Sequence, residues 1–172
     1  MQKYNIIGDI HGHAQELKKL LKLLGYRENE NGFHHPMNHQ ALFVGDLINR
    51  GPDTPLVLEI VKKMVLNRHA KAVLGNHEFR MIQNYLLDPD AIDSRITGFV
   101  PWIKSLPLFL DLPELRVVHA AWHFPSIEIL KSKTADDELF IKSTMEKNST
   151  LQKAVRAILQ GIKIPVPPEL RY

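Results

Sequence analysis

A chain of 172 residues, 44% of them hydrophobic, is long enough for one domain with a sizeable core, because a domain of this size buries about 70% of its unfolded surface. Its 22 Lys and Arg stand against 19 Asp and Glu, a net charge of +3 spread along the chain, which argues against a nucleic-acid partner. Cysteine is absent, excluding disulfides, thiolate metal ligands and a cysteine nucleophile; with no apolar leader and no run near the ~20 apolar residues of a membrane span, a cytoplasmic protein without a membrane partner is expected.

Taken in order, Tyr4 to Ile7 reads as a short strand that stops at Gly8-Asp9-Ile10-His11-Gly12-His13. The segment from Ala14 to Gly25 then places Leu17, Leu20, Leu21 and Leu24 at helical spacing, with Lys18, Lys19 and Lys22 on the opposite face, the signature of a surface helix packed on a sheet. Residues 26–40 are polar and contain Asn31-Gly32, a turn signal that predicts a short hairpin or loop. The apolar run from Ala41 to Val44 ends at Gly45-Asp46-Leu47-Ile48-Asn49-Arg50-Gly51. Beyond a proline-rich turn, Val57, Ile60, Val61 and Met64 mark a second helix, and Lys71 to Leu74 runs into Gly75-Asn76-His77-Glu78 before a third helix expected from Phe79 to about Leu87. Strand, loop, helix, strand predicts parallel strands joined by right-handed crossovers.

Residues 92–104 are ambiguous. Leu108 to Leu112 and Leu115 to His119, separated by Pro113-Glu114, suggest a hairpin. Apolar residues recur at helical intervals over residues 126–133 and 136–160, and the proline-rich end around 164–169 is expected to be extended, since proline cannot continue a helix.

Four apolar runs thus deliver Asp9, His11, Asp46, Asn76, His77 and His119 to loop positions, and in open α/β sheets ligands bind at the carboxyl ends of strands. Asp and Asn are common turn residues, but oxygen donors mixed with imidazole suit Mn, Fe, Zn or Mg, and a shared carboxylate can bridge two ions.

The words GDIHGH, GDLINRG, GNHE and VHAAW, in this order and spacing over residues 4–123, resemble those of the calcineurin-like metallophosphoesterases, in the phosphoprotein-phosphatase branch and its bacterial diadenosine-tetraphosphatase and PrpE-like group. The resemblance implies an α/β fold, with a sheet flanked by helices forming part of an αββα sandwich, in a single domain over residues 1–172 with a helical and proline-rich tail over 126–172. It implies two divalent metal ions, Mn favoured, with Asp9, His11 and Asp46 on the first and Asp46, Asn76 and His119 on the second. Water is then the nucleophile, His77 protonates the leaving oxygen, and Arg50 and Asn76 bind the phosphate of a small phosphate ester, a dinucleoside polyphosphate or a phosphoprotein. Glu78 is expected to position the loop or the helix start.

Two departures from the family pattern matter. Asn49 stands where the family has an aspartate that orients the GNHE histidine. No late Gly-His word follows Trp122, so the chain resembles the N-terminal portion of a longer enzyme, with an incomplete second sheet and exposed sheet edges through which it could dimerise. The competing expectation is a catalytically impaired remnant that binds metal or a partner without turnover. His13, His34, His35, His39, His69 and His123 have no ligand spacing and are expected to be solvated or incidental.

Overall fold

The computed structural model describes residues 2–162, 164 and 167; the extended end expected over 164–169 otherwise lies outside the described residues. In chain order, β1 (Tyr4–Ile7) leads to α1 (Ala14–Leu23), a ribbon of β2 (Arg27–Asn29) and β3 (Gly32–His34), then β4 (Gln40–Phe43), α2 (Thr54–Leu66), β5 (Ala70–Ala72) and α3 (Asn76–Leu87). Two 3₁₀ turns, Pro89–Ala91 and Thr97–Phe99, precede α4 (Val100–Lys104), β6 (Phe109–Asp111), β7 (Arg116–Val118), α5 (Phe124–Leu130), α6 (Glu138–Met145) and α7 (Thr150–Gln160).

The expected parallel sheet flanked by helices is present. Its order is β1-β4-β5, with Ile6 opposite Leu42 and Leu42 opposite Lys71. The central strand is fully buried on both faces, with Ala41, Leu42 and Phe43 all inaccessible, which is why it reads as an unbroken apolar run rather than an alternating one. On one face Ile7, Ala41, Phe43, Ala70 and Ala72 join Leu17 and Leu21 of α1 and Leu58, Val61 and Met64 of α2 in the main core. On the other face Leu42 and Val73 meet Val117 of β7, with Tyr4, Val44, Leu110 and Leu115 around them.

The fourth strand departs from the other three. β7 pairs antiparallel with β6 in a ribbon separate from the parallel sheet, because the Pro113-Glu114 connection is too short for a parallel crossover and permits only a hairpin. This ribbon covers the second face of the sheet in part; Ile6, which points to that face, is 65% exposed.

Helix α3 begins at Asn76 rather than the expected Phe79. Glu78, at its third position, accepts from the backbone N–H of Gly75 at 2.9 Å and so draws the whole Asn-His-Glu word into the first turn. The long helical stretch expected over 136–160 is two helices. Asp137 caps α6 by accepting from Leu139 and Phe140, Ser149 caps α7 by accepting from Gln152, and Asn148 between them takes φ +66°.

Candidate metal and phosphoester site

The site forms where β1, β4 and β5 end and α3 begins. Asp46 lies at its centre, 3% exposed, and the chain places it there through three sets of backbone bonds. Its carbonyl accepts from the N–H groups of Ile10 and His11 at 3.0 and 2.9 Å, which ties the loop after β1 to the loop after β4. Its own N–H donates to Glu78 at 2.8 Å, and its Oδ1 accepts from the backbone N–H of His77 at 3.1 Å, so the carboxylate faces the positive end of α3.

The fully buried Glu78 accepts four backbone N–H groups, those of Asp46, Leu47, Ile48 and Gly75, at 2.8 to 3.2 Å. Burial and then the Asp46 carboxylate push its pKa up, and the backbone donors oppose them. Glu78 thereby fastens the loop after β4 to the start of α3. Close approach of the two loops also requires glycine: a side chain on Gly75 would run into the Asp46 carboxylate and backbone, and one on Gly45, whose φ is +94°, would run into Gly75.

Two histidines present acceptor nitrogens to this carboxylate. His11 Nδ1 donates to the Ile48 carbonyl at 3.1 Å, which leaves a lone pair on Nε2, a buried atom with no hydrogen-bond partner. It faces Asp9 Oδ2 at 3.6 Å and Asp46 Oδ2 at 3.7 Å. His119 Nδ1 donates to the Val44 carbonyl at 2.7 Å, so its Nε2 also carries a lone pair, and this faces Asn76 Oδ1 at 3.1 Å and Asp46 Oδ1 at 3.6 Å. Lone pairs converging on lone pairs repel unless a cation lies among them, and histidine ligands ordinarily donate their second nitrogen to a carbonyl in this way. The donor set therefore fits divalent cations with a preference for mixed oxygen and nitrogen ligands.

The ligand atoms of His11, Asp46 and His77 lie within 4.8 Å of one another, as do those of Asp9, Asp46 and His119. Asp46 is common to both groups, with Oδ2 toward His11 and His77 and Oδ1 toward His119. The structure thus gathers Asp9, His11, Asp46, Asn76, His77 and His119 around one carboxylate. Asp9 Oδ2 lies against His11 Nε2 as well as within reach of His119, and His77 joins His11 on the Oδ2 side of Asp46. The His11 and His77 rings meet edge to face, 4.8 Å between centroids.

His77 is oriented by Asn49, whose Nδ2 donates to Nδ1 at 2.8 Å; the ring proton is then on Nε2, 3.9 Å from Asp46 Oδ2. Burial lowers the His77 pKa, Asp46 pulls it back up, and His11 and Arg50 depress it further. Arg50 is exposed at the rim with φ +62° and forms no ion pair among the described residues. Left-handed backbone recurs through this loop, at Asp46 (φ +52°), Asn49 (+70°) and Arg50 (+62°), and at His11 (+47°) opposite, a strain typical of functional loops.

The remaining histidines are placed elsewhere. His34 and His69 rings lie 5.9 Å apart, and His35 stacks on His39 at 3.9 Å, around the start of β4 and β5, the opposite end of the sheet from the site. His13 pairs with Glu16, and His123 bonds Ser126 at 2.7 Å. Arg80, one helical turn beyond Asn76, lines a cavity of about 490 Å³ with Asn49, Asn76 and His77. Sequence reasoning passed over Arg80, whose four-residue spacing from Asn76 becomes meaningful once α3 is known to start at Asn76.

Residues 3–151 match the calcineurin-like phosphoesterase family, and the chain belongs to it. Among relatives, it is 43% identical over 137 residues to bis(5'-nucleosyl)-tetraphosphatase PrpE of Oceanobacillus iheyensis, covering 69% of this chain and 55% of that protein. It is 42% identical over 85 residues to the PrpE of Bacillus cereus, covering 49% of this chain and 35% of the relative. A crystal structure whose own assignment as a diadenosine tetraphosphatase is provisional superposes with a TM-score of 0.51 at 28% identity, covering 70% of this chain and 50% of the other. The chain spans about half the length of the first of these relatives. Among the described residues, no helix is long and apolar enough to cross a membrane.

Proposed function

We propose that the chain is a metal-dependent phosphoesterase acting on phosphate esters, with dinucleoside polyphosphates the favoured substrates. The observation that carries this reading is the Asp46 carboxylate, whose Oδ2 faces the lone pair of His11 Nε2 and whose Oδ1 faces that of His119 Nε2. Two divalent cations held there, Mn favoured over Fe, Zn or Mg, would supply Lewis-acid polarisation of the phosphate and an activated water.

The protein's own groups supply the rest. Asp9, His11, Asp46, Asn76 and His119 would hold the cations, with His11, Asp46 and His119 oriented beforehand by the backbone bonds described above. His77 holds a proton on Nε2, facing the centre, and delivers it to the leaving oxygen. Its orienting partner is neutral, so Asn49 fixes the ring without adding charge to stabilise an imidazolium. Arg50, unpaired at the rim, offers a planar fork to the phosphate oxygens, and Asn76 can donate to the phosphate through its amide nitrogen. The names of the PrpE relatives support a dinucleoside polyphosphate over a phosphoprotein, and comparing rates on diadenosine tetraphosphate and on a phosphopeptide separates the two. The uncovered sheet face at Ile6 supports self-association, which sedimentation velocity would register as a dimer.

With Mn, the wild type is expected to hydrolyse p-nitrophenyl phosphate and the D46A variant is not; equal rates from both would remove the reading. The second reading, a metal-binding chain without turnover, is favoured by Asn49 alone. Bound Mn together with no hydrolysis across a panel of phosphate esters would establish it.

A further inference from the structure

Two cavities flank α3 as it leaves the metal site, one of about 400 Å³ against α6 and α7 and one of about 490 Å³ against residues 91–96. Asn76, Arg80, Asn84 and Gln160 line both, so they are two lobes of one trough. Asn76, Arg80 and Asn84 repeat every four residues and share a face of α3; Gln152, Arg156 and Gln160 do the same on α7. Helix rise carries the backbone about 6 Å from Asn76 to Arg80, so the trough starts at the candidate metal ligands and runs away from them.

Its charge is one-sided. Neither Arg80 nor Arg156 has a carboxylate partner among the described residues. The carboxylate in these walls, Asp93, is gripped by Arg95 through contacts of 2.7 to 3.1 Å, which cancels its charge locally. Arg156 Nε donates to Gln160 Oε1 at 3.4 Å. A trough with two uncompensated guanidiniums and amide walls suits an anion carrying several charges in a row. A simple phosphomonoester would fill the metal site and leave both arginines idle. Beyond Arg156 and Gln160 lies a third cavity of about 450 Å³ between α5 and α7, with apolar walls from Pro125, Ile129, Ala157 and Ile162, which suits an apolar group at the far end of such a chain.

We propose that Arg80 and Arg156 bind the non-reacting phosphates of a polyphosphate chain whose reacting phosphoryl group lies at Asp46, making them the residues that select polyphosphates over monoesters. The direction of this chain rests on the phosphoesterase reading above; the anion selectivity of the trough does not. Inorganic tripolyphosphate and orthophosphate are titrated calorimetrically into the full chain, with Mg in large excess in both cell and syringe so that the titrant remains one metal complex. The ratio of tripolyphosphate to orthophosphate affinity is expected to fall roughly tenfold in R80Q and again in R156Q, the loss of one charge-assisted contact each. Both side chains are exposed and form no ion pair among the described residues, so circular dichroism and thermal melts should match wild type. A ratio unchanged in both variants overturns the proposal, and one unchanged in R156Q alone overturns the assignment of Arg156. Failure of the wild type to hydrolyse either p-nitrophenyl phosphate or diadenosine tetraphosphate would sink the catalytic reading while leaving the binding ratio as a separate result.

Discussion

Asp46 and Glu78 form a buried carboxylate pair in which one member faces the ligands and the other faces only backbone. Such a pair is stable because the four N–H groups around Glu78 would otherwise be orphaned, each at a cost of about 1–3 kcal/mol. The Glu78→Gln variant keeps the shape but turns an acceptor oxygen into a donor nitrogen against two of those N–H groups. A loss of about 2–5 kcal/mol is expected from urea unfolding; a change below 0.5 kcal/mol would show that Glu78 does not fasten the loops. At this scale the sequence was most legible. Every donor now gathered at the centre could be named from its place after an apolar run, whereas which oxygen of Asp46 each histidine faces could not, because it depends on rotamers set by the carbonyls of Ile48 and Val44.

At the scale of elements, the loop after β4 and the start of α3 come together only because Gly45 and Gly75 let two backbones touch. The Gly75→Ala variant places a methyl group against Asp46, and about 1–3 kcal/mol of overpacking is expected together with weaker Mn binding, measured by unfolding and by metal titration. The opposite end of the sheet has its own sensitivity. Burial, and then His34, hold the pKa of His69 below its ordinary value near 6.5. Between the folded and ordinary values the unfolded chain binds more protons than the folded one. This contribution to stability is therefore complete above pH about 6.5 and is lost as pH falls through that value toward the depressed one. Melts between pH 7.5 and 5.5 should show the midpoint falling, and His69→Asn should flatten the slope; an identical slope would exclude His69 as a source. The strands and first helices were legible from period and turn residues. The start of α3 was not, because Asn-His-Glu reads as loop until Glu78 is seen to bond back to Gly75.

Over the whole molecule, metal binding and folding are coupled, since the donors converge only when β1, β4, β5 and α3 are assembled. A ligand that binds the folded state alone stabilises it by about 2.7 kcal/mol at a hundredfold excess over Kd. The melting temperature should rise with Mn, return with EDTA, and respond to neither in D46N. A metal-independent melting temperature in the wild type would mean that the centre does not hold cations.

The letters alone determined the parallel α/β grammar, the four donor-bearing loops and the family, because strand period, glycine punctuation and ligand types are local properties of neighbouring residues. Tertiary structure alone decided that the hairpin expected over residues 108–119 lies over the second sheet face, that Asp46 offers one oxygen to His11 and the other to His119, and that Arg80 and Arg156 share a trough. Those outcomes depend on residues dozens of positions apart, such as Val44 bonded to His119 and Gln160 lining the same cavities as Asn76, whose proximity no local pattern encodes.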